Sequence, residues 1–135
     1  ILATDPSSKA LDTAMGGTYG SEQLPVQLSE TVKSRYFLKG NGIHAGHIRI
    51  KPYLQKAVQF RRLNLKVQNY PFKKQFDLIF CHDGLRAFDD SAKQQAFSRL
   101  HRHLAPRGYL FLGQPDLVPD SSLFTQVDTA IFKKH

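Results

Sequence analysis

Short apolar runs alternate with segments of helical period along most of the chain. Ile1-Leu2-Ala3-Thr4 is a strand-like run that ends at Asp5. Pro6 suits a first helical turn, with Asp5 or Ser7 as the cap. Leu11, Ala14 and Met15 then recur at helical spacing, and Gly16-Gly17 stops the helix. Thr18 to Leu28 reads as a polar connection holding Pro25, and Ser29 to Arg35 as a second short helix capped by Ser29. Two strand-like runs follow, Tyr36-Phe37-Leu38-Lys39 and His47-Ile48-Arg49-Ile50. The glycine-rich turn Gly40-Asn41-Gly42-Ile43-His44-Ala45-Gly46 between them predicts an antiparallel hairpin.

Val58 to Leu63 predicts a further strand, with a loop around Pro71. Phe76-Asp77-Leu78-Ile79-Phe80-Cys81 has the continuous apolar character of a strand buried on both faces. Asp89, Asp90 or Ser91 can cap a helix that runs to about Leu104, with Ala92, Ala96, Phe97, Leu100 and Leu104 as its apolar positions. Pro106-Arg107-Gly108 breaks that helix. Tyr109-Leu110-Phe111-Leu112-Gly113 is a second buried strand, and after a polar loop Thr129-Ala130-Ile131-Phe132-Lys133 is the last. The alternation predicts an α/β fold with a largely parallel sheet, interrupted by the hairpin as an inserted subdomain.

The composition agrees with a folded domain: 135 residues, 41% hydrophobic and 11% aromatic. No apolar run reaches the length of a membrane span, so membrane insertion is not expected. The lone Cys81 allows no internal disulfide, which favours a reducing, cytoplasmic setting. An opening on Ile1, directly in a strand, is the expected look of a piece cut from a longer chain. The net charge of +8 is unevenly spread. Between Thr31 and Phe76 lie eleven Lys and Arg residues and no Asp or Glu, so the remainder of the chain is net acidic. Such a stretch attracts anionic partners or is simply a solvated basic face. Tyr36, Phe37, Tyr53 and Phe60 interleave with these charges. A nucleic-acid role is nonetheless not expected, because Phe60 and its neighbours fit a core strand equally well.

Three places could carry chemistry. Asp5, at the carboxyl end of a strand and just before a helix, can take both hydroxyls of a ribose or cap the helix. Asn64-Leu65 ends the next strand, where Asn64 could read an adenine edge or make a turn. His82-Asp83 ends the Cys81 strand, as a general base or a polar turn. No Ser, Cys or Thr nucleophile is matched to that pair. His101 and His103 lie two apart on a helix, which suits no metal. The spacing at Gly40, Gly42 and Gly46 is G-x-G-x-x-x-G ahead of a strand, so it is not a phosphate-cradling loop.

Taken in order, Ile1 to Asp5, Arg35-Tyr36-Phe37 with its glycine hairpin, Phe60 to Leu65, Phe76 to Cys81 and Pro106 to Gly113 resemble the CheR-type chemotaxis methyltransferases from Ile1 to about Lys133. The resemblance implies a Rossmann-like S-adenosylmethionine-dependent methyltransferase fold. A small three-stranded antiparallel subdomain is inserted in it, which the residues place at about 36–63 with a receptor-docking hairpin at 36–50. It implies methylation of glutamate side chains on chemoreceptors, with S-adenosylmethionine as methyl donor and S-adenosylhomocysteine as product. Asp5 would hold the ribose, Asn64 and Leu65 would flank the adenine, and His82-Asp83 occupy the place of an Arg-Asn pair that contacts the cofactor. Lys39, Gly40, Gly42, Gly46 and Arg49 would bind a C-terminal receptor peptide.

The family's first strand, its Gly-rich loop and its N-terminal helical domain have no counterpart in the sequence. Ala87, before Phe88, stands where the family has a Tyr near the methyl transfer site, and Gly113-Gln114-Pro115-Asp116 replaces Gly-His-Ser-Glu. No catalytic residue is therefore named. The expectations are weak or absent cofactor binding and no turnover by this polypeptide alone, with a degenerate receptor- or protein-binding module as the alternative function. Strand edges left open by the absent first strand predict self-association, such as a homodimer.

Overall fold

The computed structural model describes residues 1–113 and 118–135. The chain divides into two units, Ile1–Asn64 and Leu65–His135. In the first, β1 (Leu2–Asp5) leads through Ser7, whose hydroxyl accepts from the Ala10 amide, into α1 (Ser8–Gly16). Gly17 ends the helix in the left-handed region, at φ 60°. β2 (Thr18–Gly20) and α2 (Glu30–Tyr36, capped by Ser29) follow, then β3 (Phe37–Lys39), β4 (His47–Ile50), α3 (Pro52–Lys56) and β5 (Gln59–Arg62). β5 runs parallel to β1, with Leu2 opposite Gln59 and Asp5 opposite Arg62. Parallel neighbours need a long crossover, and here the crossover holds a sheet of its own in the order β2-β4-β3, all antiparallel.

That sheet corrects the reading of 18–28 as connection only, because Thr18–Gly20 is its third strand. Three residues with no apolar alternation give no strand signal; the pairing of Thr18 with Arg49 and Tyr19 with Ile48 supplies what the pattern lacks. Tyr36 closes α2 instead of opening a strand, and the short α3 lies on Pro52 in its first turn, a position that suits proline.

In the second unit, β6 (Phe76–Cys81), α4 (Asp90–His103) and β7 (Leu104–Leu112) form a parallel strand–helix–strand unit. Asp89 caps α4 by accepting from the Ala92 amide at 2.8 Å. The hairpin of β8 (Phe124–Asp128) and β9 (Ile131–Lys134) adds antiparallel to β7, giving the order β6-β7-β9-β8. α4 buries Ala96, Phe97 and Leu100 against the face carrying Cys81, Leu110, Leu112 and Phe132. With Leu85 and Leu104 these residues make the core of the unit.

Three corrections follow. β8 occupies part of the expected polar loop after Gly113; only Phe124 on it is buried, too little to signal a strand. β7 begins at Leu104, not Tyr109. Pro106-Arg107-Gly108 is a bulge inside the strand, with Arg107 at φ 63° and the pairing shifting between Phe76–Leu104 and Leu78–Tyr109. β6 is not buried on both faces. Leu78 is 51% and Phe80 72% exposed, because α4 covers only the other face and, among the described residues, β6 pairs with β7 alone. Phe80 stacks on Phe111, with ring centroids 4.5 Å apart.

The architecture is thus the α/β fold with parallel strand pairs and an inserted antiparallel sheet that the resemblance implies. No helix among the described residues is long and apolar enough to cross a membrane.

Candidate functional site

Asp5 lies half-buried at the carboxyl end of β1. Its Oδ1 accepts from the Ser7 amide at 2.7 Å, so the carboxylate folds the turn that starts α1 while Ser7, not Asp5, caps the helix. From β5, the Arg62 Nε donates to the Pro6 carbonyl at 2.9 Å and the Leu63 amide to the Asp5 carbonyl at 3.1 Å. The turn is therefore held from both sides. Among the described residues Asp5 Oδ2 has no hydrogen-bond partner, which leaves an oriented acceptor at the strand end. Asn64 follows β5 and is exposed.

In the second unit, Leu65 is half-buried, and its Cδ1 lies so near Gly84 that a Cβ there would stand 2.9 Å from it. His82 Nδ1 and Asp83 Oδ2 lie 3.0 Å apart, with side chains 77% and 63% exposed. The carboxyl end of β7 packs against this pair: a Cβ at Gly113 would come within 2.6 Å of the His82 ring. Cys81, one residue before, is buried, and burial pushes its thiol up to about 11, so it is protonated and unreactive at neutral pH. Gln114, Pro115 and Asp116 lie outside the described residues. Lys66 Nζ stands 5.2 Å from the centre of the Phe88 ring, the residue after Ala87.

The groups present suit the adenosine part of an S-adenosyl cofactor. A half-buried carboxylate with one open oxygen can accept from a ribose hydroxyl, and Asn64 follows the strand paired with β1 in the same unit. Arg62 and Ser7 had no functional signal in the sequence. Arg62 acts at a position far along the chain, which only the register of β1 with β5 reveals. No group of three or more His, Cys, Asp or Glu able to hold a metal occurs among the described residues.

The glycine hairpin has its own geometry. The Gly40 amide donates to the His47 carbonyl at 2.8 Å, and a Cβ at Gly40 would overlap the His44 carbonyl. Gly42 and Gly46 take φ 56° and 81°, which other residues rarely adopt. β4 is paired on both sides. Of the two outer strands, β2 has its Gly20 amide covered by the Gln23 side chain at 2.9 Å, whereas among the described residues no strand pairs with the outer edge of β3. Cross-strand partners share a face, so Arg49 stands with Leu38 and Thr18, and Lys39 with Ile48 and Tyr19. The two cations therefore project from opposite faces.

Residues 1–132 match the family described as "CheR methyltransferase, SAM binding domain". The chain is 30% identical to the chemotaxis protein methyltransferase of Borreliella burgdorferi over 100% of its own length and 46% of that relative. It is 36% identical to chemotaxis protein methyltransferase 1 of Pseudomonas aeruginosa, over 97% of the chain and 47% of the relative. To the Escherichia coli chemotaxis protein methyltransferase it is 34% identical, over 86% of the chain and 40% of the relative. The chain thus spans about half the length, or less, of these curated relatives.

Proposed function

The chain belongs to the CheR methyltransferase SAM-binding-domain family, and from that membership we propose that it serves S-adenosylmethionine-dependent methylation of glutamate side chains on chemoreceptors, in the cytoplasm. The observation that carries this reading is the oriented Asp5 carboxylate at the end of β1, inside a sequence match that runs through residue 132. Asp5 holds the ribose, and Asn64 and Leu65 flank the adenine. His82 and Asp83, at the end of β6, would contact the cofactor. When bound, the cofactor supplies an activated methyl group, and the protein's work is to position a carboxylate against it. The residues in hand serve the adenosine end. With Ala87 in the place of a Tyr and no Gly-rich loop in the sequence, the 135-residue chain alone binds S-adenosylmethionine or S-adenosylhomocysteine weakly and does not turn over.

Receptor docking falls to the hairpin. The open edge of β3 adds a strand from a C-terminal receptor peptide, shaped by Gly40, Gly42 and Gly46, with Lys39 and Arg49 as the cations that select its carboxylates. The exposed His82–Asp83 pair, engaged with itself, favours a second reading: a non-catalytic module that keeps this docking.

One experiment separates the two. Labelled methyl transfer to receptor glutamates is measured alongside fluorescence anisotropy with receptor-tail peptides, for the intact gene product and for the 135-residue chain. Transfer by the intact product, none by the chain, and peptide binding by both is the expected outcome. Because Lys39 and Arg49 face apart, Arg49→Ala is expected to weaken the peptide about tenfold or more and Lys39→Ala far less, if the tail lies on the Leu38 face. Peptide binding without transfer in either form supports the docking module.

The single-sided pairing of β6 and the exposed Leu78 and Phe80 also favour association with a second copy. Light scattering is expected to show a concentration-dependent dimer that Phe80→Ser weakens; a monomer at every concentration removes this partner.

A further inference from the structure

The outer face of α4 carries a cationic depression that the functional reading above does not use. The cavity, about 620 Å³, is lined by Gln68, Asn69, Gln95, Ser98, Arg99 and Arg102, together with His101 and Leu123. Arg99 is 91% buried, yet no carboxylate pairs with it among the described residues. Its guanidinium donates to the Leu65 carbonyl at 3.3 Å and to Gln95 Oε1 at 3.0 Å, which fixes its orientation without neutralising its charge. A buried cation held only by neutral acceptors is uncommon, because desolvation goes uncompensated. Arg102 stands one helical turn further on at the rim and is exposed. Among the described residues no acid lines this cavity. Asp120 lines a separate depression of about 400 Å³, and its Oδ1 is engaged by the Ser122 amide at 2.8 Å.

We propose that this depression is a binding site for a phosphate monoester, seated between Arg99 and Arg102. The donor set decides the ligand class. Two guanidinium groups supply two positive charges, matching the roughly two negative charges of a phosphate monoester near neutral pH. The Ser98 hydroxyl, which donates to the Gln94 carbonyl at 3.0 Å, lines the wall, while the amides of Gln68 and Asn69 add neutral donors. That is more than the two oxygens of a carboxylate require and suits three tetrahedral oxygens. Because Arg99 is preoriented, little side-chain freedom is lost on binding. The cavity is open enough for either a free phosphate compound or a phosphorylated side chain of another protein.

The test follows the Arg Nε–Hε signals of the whole chain by two-dimensional NMR at constant ionic strength. Inorganic phosphate, a phosphoserine peptide, the same peptide unphosphorylated, and acetate are titrated in turn. Saturable shifts at Arg99 and Arg102 with the two phosphate probes, and not with acetate or the plain peptide, are expected. Arg102→Gln, at an exposed position that leaves Arg99 in place, is expected to weaken binding about tenfold. A tighter peptide than inorganic phosphate assigns a phosphorylated side chain, and equal affinity assigns a free phosphate. No saturable shift, equal response to acetate, or unchanged affinity in Arg102→Gln overturns the site.

Discussion

The carboxyl ends of β1 and β6 look alike in sequence and differ in how they are held. At β1, Asp5 is tied to Ser7, and the turn around it is gripped by Arg62 and Leu63 from the neighbouring strand. At β6, His82 and Asp83 pair with each other in the open, and the strand leans on the α4 core beneath it. The first turn is fixed by its own hydrogen bonds and needs no ligand to orient its carboxylate. The second rests on the core below it, on Gly113 beside the His82 ring and on one backbone bond from the Arg86 amide to the Asp83 carbonyl at 3.1 Å, while its exposed His82 and Asp83 side chains meet each other. In a methyltransferase the first arrangement suits a constant group such as ribose, and the second suits a contact completed by something else.

The largest effect that separates the two ends comes from the core. Phe97 is 1% exposed, and Phe97→Ala is expected to cost about 3–5 kcal/mol in urea denaturation. Native-state amide exchange is expected to rise at Gly84, near the β6 end, while Ser7, whose amide bonds to Asp5, keeps its protection. Equal loss at both ends would show that the β1 turn is not self-sufficient.

Next in size is the pair of single substitutions at the tips. Asp5→Ala removes the acceptor of the Ser7 amide and is expected to destabilise the chain by about 1 kcal/mol. In the intact gene product it is expected to lower S-adenosylhomocysteine affinity by more than about tenfold, measured by calorimetry. His82→Ala, at an exposed site, is expected to change stability by no more than about 0.5 kcal/mol. A larger cost for His82→Ala than for Asp5→Ala would reverse the comparison.

The smallest effect is one of pH, and it acts on the second unit. Burial lowers the titration range of His101, with Lys134 and His135 adding to the shift, and of His103, with Arg102 adding to it. His101 also meets the edge of Phe124, and His103 lies against Tyr70 and Phe72. Folding therefore favours the neutral rings. Their contribution is whole above about pH 6.5, the ordinary value, and is lost as pH falls through the lower folded values. Urea midpoints are expected to drop modestly between pH 7 and pH 5, and less in the His101→Gln, His103→Gln double variant. Glu30 and Asp120, whose ranges are also lowered, act only in the more acidic window below ordinary carboxylate values.

The legible parts of the fold were those with local causes. Ser7, Gly16 and Gly17 punctuate α1, Asp89 starts α4, and Phe76–Cys81 coincides with β6. The illegible parts owe their form to distant partners. Thr18–Gly20 and Phe124–Asp128 are strands because β4 and β9 offer them hydrogen bonds, not because their own residues alternate. β6 reads as fully buried, since its run is apolar throughout, but a sequence pattern does not say which of two faces a helix will cover. At the candidate site Asp5 was readable from its place between strand and helix. The roles of Arg62 and the opposed faces of Lys39 and Arg49 depend on register, which one sequence leaves open.

The Gly17 carbonyl, at the end of α1, accepts the Ile50 amide at 2.8 Å. This single bond bears on the loop that separates β1 from β5. Before it forms, β1 and β5 must find each other across the whole intervening chain. Once β2 has met β4, everything between Gly17 and Ile50 is already closed, and the effective loop is more than halved. Each halving of loop length lowers the closure cost by about 0.6 kcal/mol. The inserted sheet, whatever it docks, thus also works as a clasp: by closing the chain between Gly17 and Ile50 it shortens the loop that the pairing of β1 with β5 has to span.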